Sequence, residues 1–220
     1  LALGKGVLIC ENEQQAADGV KEIMLDKKFG ASGNHVVVEE FLTGPEVSVL
    51  SFTDGKVVKP MVSSMDHKRA NDHDTGLNTG GMGTVAPNPY YTPAIAAECM
   101  EKIFLPTIKA MNAEGCPFKG CLYFGLMLTP DGPKVIEYNC RFGDPETQVV
   151  LPLLEGDLLH IMQACTNGTL ENEEVKFSDG AAACVILASG GYPVAYEKGK
   201  PITGLVDGQL PGEENVTVYH

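Results

Sequence analysis

Apolar and polar positions alternate along several segments of the chain, and this pattern predicts β-strands and two hairpins. The first hairpin spans residues 46–62 and turns at Asp54-Gly55, a dipeptide typical of tight turns. The second comprises residues 120–129 and 134–139, which flank Pro130-Asp131-Gly132. Shorter apolar runs predict three further strands, at residues 6–10, 35–40 and 181–189.

A spacing of three to four residues between apolar positions predicts helices between these strands. One helix covers residues 11–29, and a longer one covers residues 92–114 with a disturbance expected at Pro106. A third helix is expected to be capped by Asp144-Pro145, and a fourth occupies residues 156–166. The polar residues 63–89 are predicted to form one long loop. The chain is therefore expected to have a mixed α/β fold built from α+β lobes.

Composition and charge exclude several classes of protein. A formal net charge of −13 disfavours binding to nucleic acid, which requires clustered cations. The seven cysteines form no CxxC pair, so we expect reduced thiols and no zinc site. With no signal-peptide pattern and no apolar run long enough to span a bilayer, we expect a cytoplasmic protein without a membrane partner. The abrupt first and last segments favour a fragment of a longer protein.

Residues 137–146, EYNCRFGDPE, concentrate charged and amide side chains at the end of a predicted strand. Alternation along this strand places Val135, Glu137 and Asn139 on one face and Ile136 on the other. A carboxylate and an amide oxygen side by side suit Mg²⁺, and Arg141 just beyond them can neutralise a phosphoryl group. The alternative is a surface ion pair between Glu137 and Arg141, with Asn139 starting a turn.

A second group of polar residues lies in the long loop, where residues 66–89 read DHKRANDHDTGLNTGGMGTVAPNP. Glycines at 80, 81 and 83 free the backbone, so that N–H groups can converge on a phosphate or a carboxylate. The alternative is a flexible surface loop, but long loops inside compact domains are usually functional. We therefore expect this loop to bind an anionic substrate.

Two weaker signals precede the first hairpin. Gly4-Lys5-Gly6 lacks the spacing of a P-loop, yet Lys5 could approach nucleotide phosphates as a point charge. Residues 36–46, VVVEEFLTGPE, end an apolar strand in two acids, where a purine could pair with backbone groups and a later carboxylate could accept ribose hydroxyls. Taken alone, each is more simply explained as a surface turn or a solvated strand end.

These four signals, in this order, resemble the ATP-grasp domain of the phosphoribosylamine-glycine ligase family. The most specific matches are NTGGMG at residues 78–83 and NCRFGDPETQ at residues 139–148, and the resemblance covers essentially the whole chain. It implies an ATP-grasp fold lacking its N-terminal domain and the end of its C-terminal domain. The implied divisions are a partial lid subdomain at 1–42, a core lobe at 43–177 and the start of a C-terminal domain at 178–220.

The resemblance implies ATP-dependent ligation of glycine to 5-phosphoribosylamine through a glycyl phosphate, a step of de novo purine synthesis. By motif position, Glu137 and Asn139 would hold Mg²⁺ or Mn²⁺, and Arg141 and Lys68 would be catalytic. The expected contacts to ATP are Lys5, Glu39, Glu40, Phe41, Leu42 and Glu46. The expected contacts to glycine and phosphoribosylamine are Asp66, Asn78, Thr79, Gly80, Gly81, Met82, Gly83 and Asp144.

The chain departs from the family pattern at a few positions. Leu77 stands where the family usually has Pro, and Met65 where it often has Gln. Residues 120–129 offer no second acid for the metal, which would then depend more on phosphate and water. Two other hypotheses stay open: a different ATP-grasp carboxylate-amine ligase, or a fragment that only binds nucleotide. The isolated fragment is expected to be inactive.

Overall fold

The computed structural model of the protein describes residues 6–220, and the chain divides into two compact units, Leu1–Gly44 and Pro45–His220. Among the described residues, no helix is long and apolar enough to cross a membrane.

The described part of the first unit is helical and irregular. Helix α1, Glu13–Val20, begins where the Asn12 side chain accepts the Gln15 N–H, and it continues as a π-helical turn at Lys21–Leu25. The helix ends before residue 29, because Lys27 takes a positive φ of 56° that no helix can continue. A 3₁₀ turn follows at Gly30–Asn34.

The two strands predicted in this unit, at residues 6–10 and 35–40, are wrong. No strand forms among residues 6–44, where Val37 and Val38 are 80% and 87% exposed. An apolar run becomes a strand only when a neighbouring strand completes its hydrogen bonds. Such a neighbour is lacking within the described residues of this unit.

The second unit holds the remaining regular elements. Its strands are β1 Glu46–Thr53, β2 Val58–Pro60, β3 Met65–Asp66, β4 Arg69–Asn71, β5 Thr75–Asn78, β6 Gly83–Ala86, β7 Gly120–Thr129, β8 Gly132–Asn139, β9 Leu154–Glu155, β10 Lys176–Phe177 and β11 Ala182–Val185. Its helices are α2 Pro93–Cys99, α3 Leu105–Ala113, α4 Thr147–Val150 and α5 Leu158–Asn167, with 3₁₀ turns at Leu151–Leu153 and Leu170–Asn172.

Both predicted hairpins are confirmed, and they combine into one antiparallel sheet of order β2-β1-β7-β8. The side chain of Asp54 fixes the first turn, since its Oδ1 accepts the N–H groups of Lys56 at 2.9 Å and Val57 at 3.0 Å. Its Oδ2 accepts the Leu170 N–H at 3.2 Å. The first hairpin is thereby tied to the 3₁₀ turn that follows α5.

The two faces of this sheet pack against different helices. Residues from β1 and β7 form one buried cluster with the helical segment from α2 to α3, and the Phe104 and Phe124 ring centroids lie 4.3 Å apart there. The opposite face packs Leu50 and Phe52 against residues of α4 and α5. This second cluster covers only part of its face, and the remainder carries the polar residues described below.

A β-bulge in β8 corrects the predicted alternation around the EYNC stretch. Gly125 pairs with Glu137 and Leu126 pairs with Val135, so Ile136 is an extra residue without a partner. Val135 packs with the Phe124 cluster, on the face opposite Glu137. The prediction that Val135 and Glu137 share a face is therefore wrong, because a bulge inserts one residue and shifts the alternation.

The long loop predicted at residues 63–89 is instead short strands joined by turns. β6 lies between β3 and β11 in a three-stranded sheet, and β4 pairs with β5. These strands are only two to four residues long and largely polar, so the spacing of apolar residues in the sequence does not predict them. Because β11 pairs with β6, residues 182–185 complete this small sheet; a domain beginning at 178 stays a prediction.

The helices after residue 90 follow the sequence closely. Thr92 caps α2, and a π-helical turn at Met100–Phe104 precedes the helix containing Pro106, which confirms the expected disturbance. α5 ends at Gly168 with a positive φ of 75°. The expected cap at Asp144 is wrong: α4 has no side-chain cap, and Asp144 Oδ1 accepts the Gln148 Nε2–H at 2.6 Å.

Candidate active site

Polar residues from three strands share one face of the four-stranded sheet. Ser48 is opposite Gly125, Gly125 is opposite Glu137, and Tyr123 is opposite Asn139. Directly opposed residues of antiparallel strands lie on the same face. A Cβ at Gly125 would lie 3.0 Å from Glu137 Cγ, so the glycine leaves room for the carboxylate to lie across β7.

A cavity of about 110 Å³ lies at this polar face. Its lining combines residues of β7 and β8 with residues of β3, of the segments on either side of the β4–β5 pair, and of the segment before α4. The lining residues are Asp66, Lys68, Gly80, Tyr123, Glu137, Asn139, Arg141, Asp144 and Glu146. Seven of these nine were predicted as site residues, from the two separate stretches 66–89 and 137–146.

The side chains of Glu137 and Asn139 lie together, as the metal hypothesis requires. Asn139 Nδ2 donates to Glu137 Oε1 at 3.1 Å, and Arg141 Nη2 approaches Asn139 Oδ1 at 3.4 Å. Arg141 Nη1 donates to the Phe142 carbonyl at 2.9 Å. No ion pair joins Glu137 to Arg141 in the part of the chain that the structure describes, so the surface-pair alternative lacks its defining contact.

The donor set fits a magnesium-type ion. The cavity is lined by four carboxyl groups and two cations, an excess of negative charge that a divalent cation would relieve. Among residues 6–220, no cluster of three or more His, Cys, Asp or Glu side chains is arranged to hold a metal. A metal here would therefore take one carboxylate and one amide oxygen from the protein, and water or phosphate would complete its shell.

Asp66 and Lys68 carry unusual electrostatics within this cavity. Burial, and then the charge of Glu146, raise the pKa of Asp66 to about 7. Lys68 Nζ lies 2.7 Å from Glu46 Oε2. Burial alone would lower the pKa of Lys68, but its hydrogen bond to Glu46 and the surrounding carboxylates raise that pKa overall. Lys68 is thus held as a cation, and Glu46 is engaged by it.

The backbone N–H groups of the glycine loop are used within the protein, which corrects the expectation that they converge on an anion. Thr79 donates to the Lys68 carbonyl, Gly80 to Tyr192 Oη, Gly81 to Thr79 Oγ1, and Met82 to the His67 carbonyl. The N–H groups have these partners because the loop folds back on β3 and on the segment after β11.

Close packing explains why a glycine stands at position 81. Gly81 has a φ of 125°, and a Cβ there would lie 2.4 Å from Pro145 Cδ and 2.8 Å from Asp66 Oδ1. Only glycine lets this loop approach both neighbours so closely.

The other predicted site residues lie elsewhere in the chain. Lys5 lies outside the described residues. Glu39, Glu40, Phe41 and Leu42 occupy irregular backbone near the end of the first unit, with Phe41 69% exposed. Within the described chain, the cavity lining leaves out five residues predicted in the glycine loop: Asn78, Thr79, Gly81, Met82 and Gly83.

Sequence reasoning missed two lining residues, Tyr123 and Glu146, and their neighbour Ser48. Each is buried, with exposures of 4% for Tyr123 and Glu146 and 6% for Ser48. Glu146 is the last residue of the polar stretch 137–146, and this position is the sequence feature that could have indicated it as a site residue. Tyr123 and Ser48 sit in apolar strands, where a hydroxyl gives no sign of its partner.

Residues 1–147 match the model of the phosphoribosylglycinamide synthetase ATP-grasp (A) domain. A phosphoribosylamine-glycine ligase of Fusobacterium nucleatum is 48% identical over 93% of this chain and 48% of that protein. One of Rhodopirellula baltica is 48% identical over 100% of this chain and 50% of that protein.

A solved structure agrees with the sequence relatives. The crystal structure of phosphoribosylamine-glycine ligase from Thermotoga maritima superposes with a TM-score of 0.80 at 38% identity, covering 92% of this chain and 51% of that one. The chain thus spans about half the length of these relatives. The expected ATP-grasp fold is confirmed, and the chain belongs to the phosphoribosylglycinamide synthetase ATP-grasp (A) domain family.

Proposed function

We propose that this chain supplies the phosphoryl-transfer site of a phosphoribosylamine-glycine ligase, which joins glycine to 5-phosphoribosylamine at the expense of ATP. The observation that carries the proposal is the convergence of Lys68, Glu137, Asn139 and Arg141 on one cavity. These residues come from motifs far apart in sequence, and the chain belongs to a family named for this synthetase activity.

The chemistry proposed for this cavity is positioning and charge stabilisation. The γ-phosphoryl group of ATP would pass to the glycine carboxylate with release of ADP, and the amine of phosphoribosylamine would then attack the carbonyl carbon of glycyl phosphate with release of phosphate. Arg141 would stabilise the transferring phosphoryl group, and Lys68 would contribute a second cation, held in place by Glu46. Mg²⁺ or Mn²⁺ held by Glu137 and Asn139 would neutralise phosphate charge when bound.

Other roles are part of the same proposal. Asp66, Asp144 and the loop at 78–83 would face glycine and phosphoribosylamine, while Lys5 and residues 39–42 would contact ATP. Glu46 would reach the ribose only by sharing its carboxylate with Lys68, since the two side chains are already paired.

The decisive experiment measures ATP turnover by the complete gene product with each substrate omitted in turn. ADP formation that requires both glycine and phosphoribosylamine, with glycinamide ribonucleotide as product, supports the proposal. Turnover with a different carboxylic acid, but not with glycine, would identify another ligase of the superfamily. ATP binding without any turnover would mean a nucleotide-binding protein. Residues 1–220 assayed alone are expected to show no ligation.

A further inference from the structure

Three buried polar side chains form a hydrogen-bonded group at the floor of the cavity. Tyr123 Oη donates to Glu146 Oε1 at 2.9 Å. Ser48 Oγ lies 2.6 Å from Tyr123 Oη and 3.4 Å from Glu146 Oε1. Burial, followed by the charge of Glu146, raises the pKa of the Tyr123 phenol, so it keeps its proton and remains the donor. The group joins β1, β7 and the segment before α4.

Stability alone explains this group poorly. A buried carboxylate loses its hydration, and apolar side chains of similar size often stabilise a core as well or better. The chain nonetheless makes room for the carboxylate: a Cβ at Gly143 would lie 2.3 Å from Glu146 Oε2. Because position 143 is glycine, the Glu146 carboxylate can lie against this backbone while it lines the cavity. Such a group is expected where geometry must be fixed.

The side chain that this group can fix is Arg141. Its Cζ lies 5.9 Å from the centroid of the Tyr123 ring, a distance typical of a cation–π contact. Within residues 6–220, the side-chain hydrogen bonds of Arg141 go to its own chain neighbours, the Phe142 carbonyl and Asn139 Oδ1. Arginine is long and exposed here, so its free side chain would sample many rotamers. The ring is the fixed surface beneath it.

We propose that Tyr123, held by Glu146 and Ser48, is a positioning residue that orients the Arg141 guanidinium towards the phosphoryl group in the cavity. This inference rests on the proposed function, because it assigns Arg141 to the transferring phosphate. The Tyr123 ring restricts the orientation of the guanidinium, and the buried hydrogen bonds of its hydroxyl hold the ring in place.

Tyr138 provides a matched control for Tyr123. It lies on the adjacent strand β8 but on the opposite face, where its ring packs edge-on against Phe124 with centroids 5.6 Å apart. Its hydroxyl makes one side-chain hydrogen bond, to Thr107 Oγ1 at 3.1 Å, whereas the Tyr123 hydroxyl makes two. Tyr123→Leu and Tyr138→Leu thus remove the same chemical groups from the same sheet, and only the first faces Arg141. Tyr138 is 47% exposed and Tyr123 only 4%, so kcat is compared per folded molecule.

The variants are made in the complete gene product, and kcat is expressed per folded molecule, measured by circular dichroism. Because misplaced catalytic groups cost up to about a hundredfold, we expect Tyr123→Leu to lower kcat by more than tenfold while the KM for ATP changes less than about twofold. Tyr123→Phe, which keeps the ring but loses its hydrogen bonds to Glu146 and Ser48, should recover only part of this loss. Glu146→Gln should lower kcat by roughly threefold to tenfold. Tyr138→Leu should leave both constants within about twofold of the parent.

A double-mutant cycle distinguishes a loss of Arg141 positioning from a general structural effect of the Tyr123 substitution. In an Arg141→Gln background, Tyr123→Leu should lower kcat by no more than about twofold, because the guanidinium that the ring orients is already absent. An equal loss in both backgrounds, or equal kcat values for Tyr123→Leu and Tyr138→Leu, would overturn the inference while leaving the ligase function intact. A parent protein without substrate-dependent ATP turnover would overturn both together.

Discussion

Replacing Asp66 by Asn should stabilise the protein at alkaline pH, although Asp66 is proposed to contact substrate. Burial and the charges of Glu146 and Glu46 raise its pKa from 3.8 to about 7, while Lys68 and the His67 N–H act in the opposite direction. The folded protein therefore holds this proton to higher pH than the unfolded chain does. The contribution of this proton to the free energy of unfolding is fully present below about pH 4 and is lost as the pH rises through about 7.

The size of the effect follows from the shift. About three pKa units correspond to about 4 kcal/mol of unfolding free energy at most. Because the Asp66 side chain keeps some contact with solvent, screening reduces this to about 2 kcal/mol. Roughly two-thirds of the titration lies between pH 5 and pH 8, so about 1.3 kcal/mol should be lost over that range.

Urea unfolding of the parent and of Asp66→Asn between pH 5 and pH 8 measures this difference. The advantage of the variant should grow by about 1.3 kcal/mol over that range. Two proteins with parallel stability–pH profiles would refute the reasoning. Asp54 supplies a control of opposite sign: burial acts to raise its pKa, but three backbone N–H groups lower it overall. Asp54→Asn should therefore destabilise the protein at pH 7.

Three further outcomes are expected. Glu137→Gln in the complete gene product should raise the Mg²⁺ concentration needed for half-maximal turnover by at least about tenfold, without changing the unfolding midpoint; an unchanged metal dependence would falsify its role. Gly81→Ala should lower unfolding free energy by about 2 kcal/mol or more, because its Cβ would overlap Pro145 at positive φ. Gly115→Ala, with positive φ but nothing within 4 Å, should cost less than Gly81→Ala. Asp157→Ala should cost about 1 kcal/mol in thermal unfolding, since its side chain caps α5; no change would mean that this cap is dispensable.

The sequence alone determined the local elements whose signals lie within a few residues. Asp54-Gly55 turns the first hairpin, and the Thr92 cap begins α2 as predicted. Pro106 follows a π-helical turn, and Gly168 ends α5 with a positive φ. Each of these features depends on turn, cap or φ preferences of the residue itself. The motifs NTGGMG and NCRFGDPETQ also carry the family resemblance.

Contacts between segments that are distant in sequence determine which side chains face the cavity. The bulge at Ile136 sets the faces of β8, and it depends on pairing with β7, which no local pattern reveals. The bond between Tyr123 and Glu146 joins residues 23 positions apart. Residues 35–40 lack the strand that their apolar pattern predicts, because a strand needs a hydrogen-bonding neighbour. Periodicity describes one segment, whereas a site is made by contacts between segments.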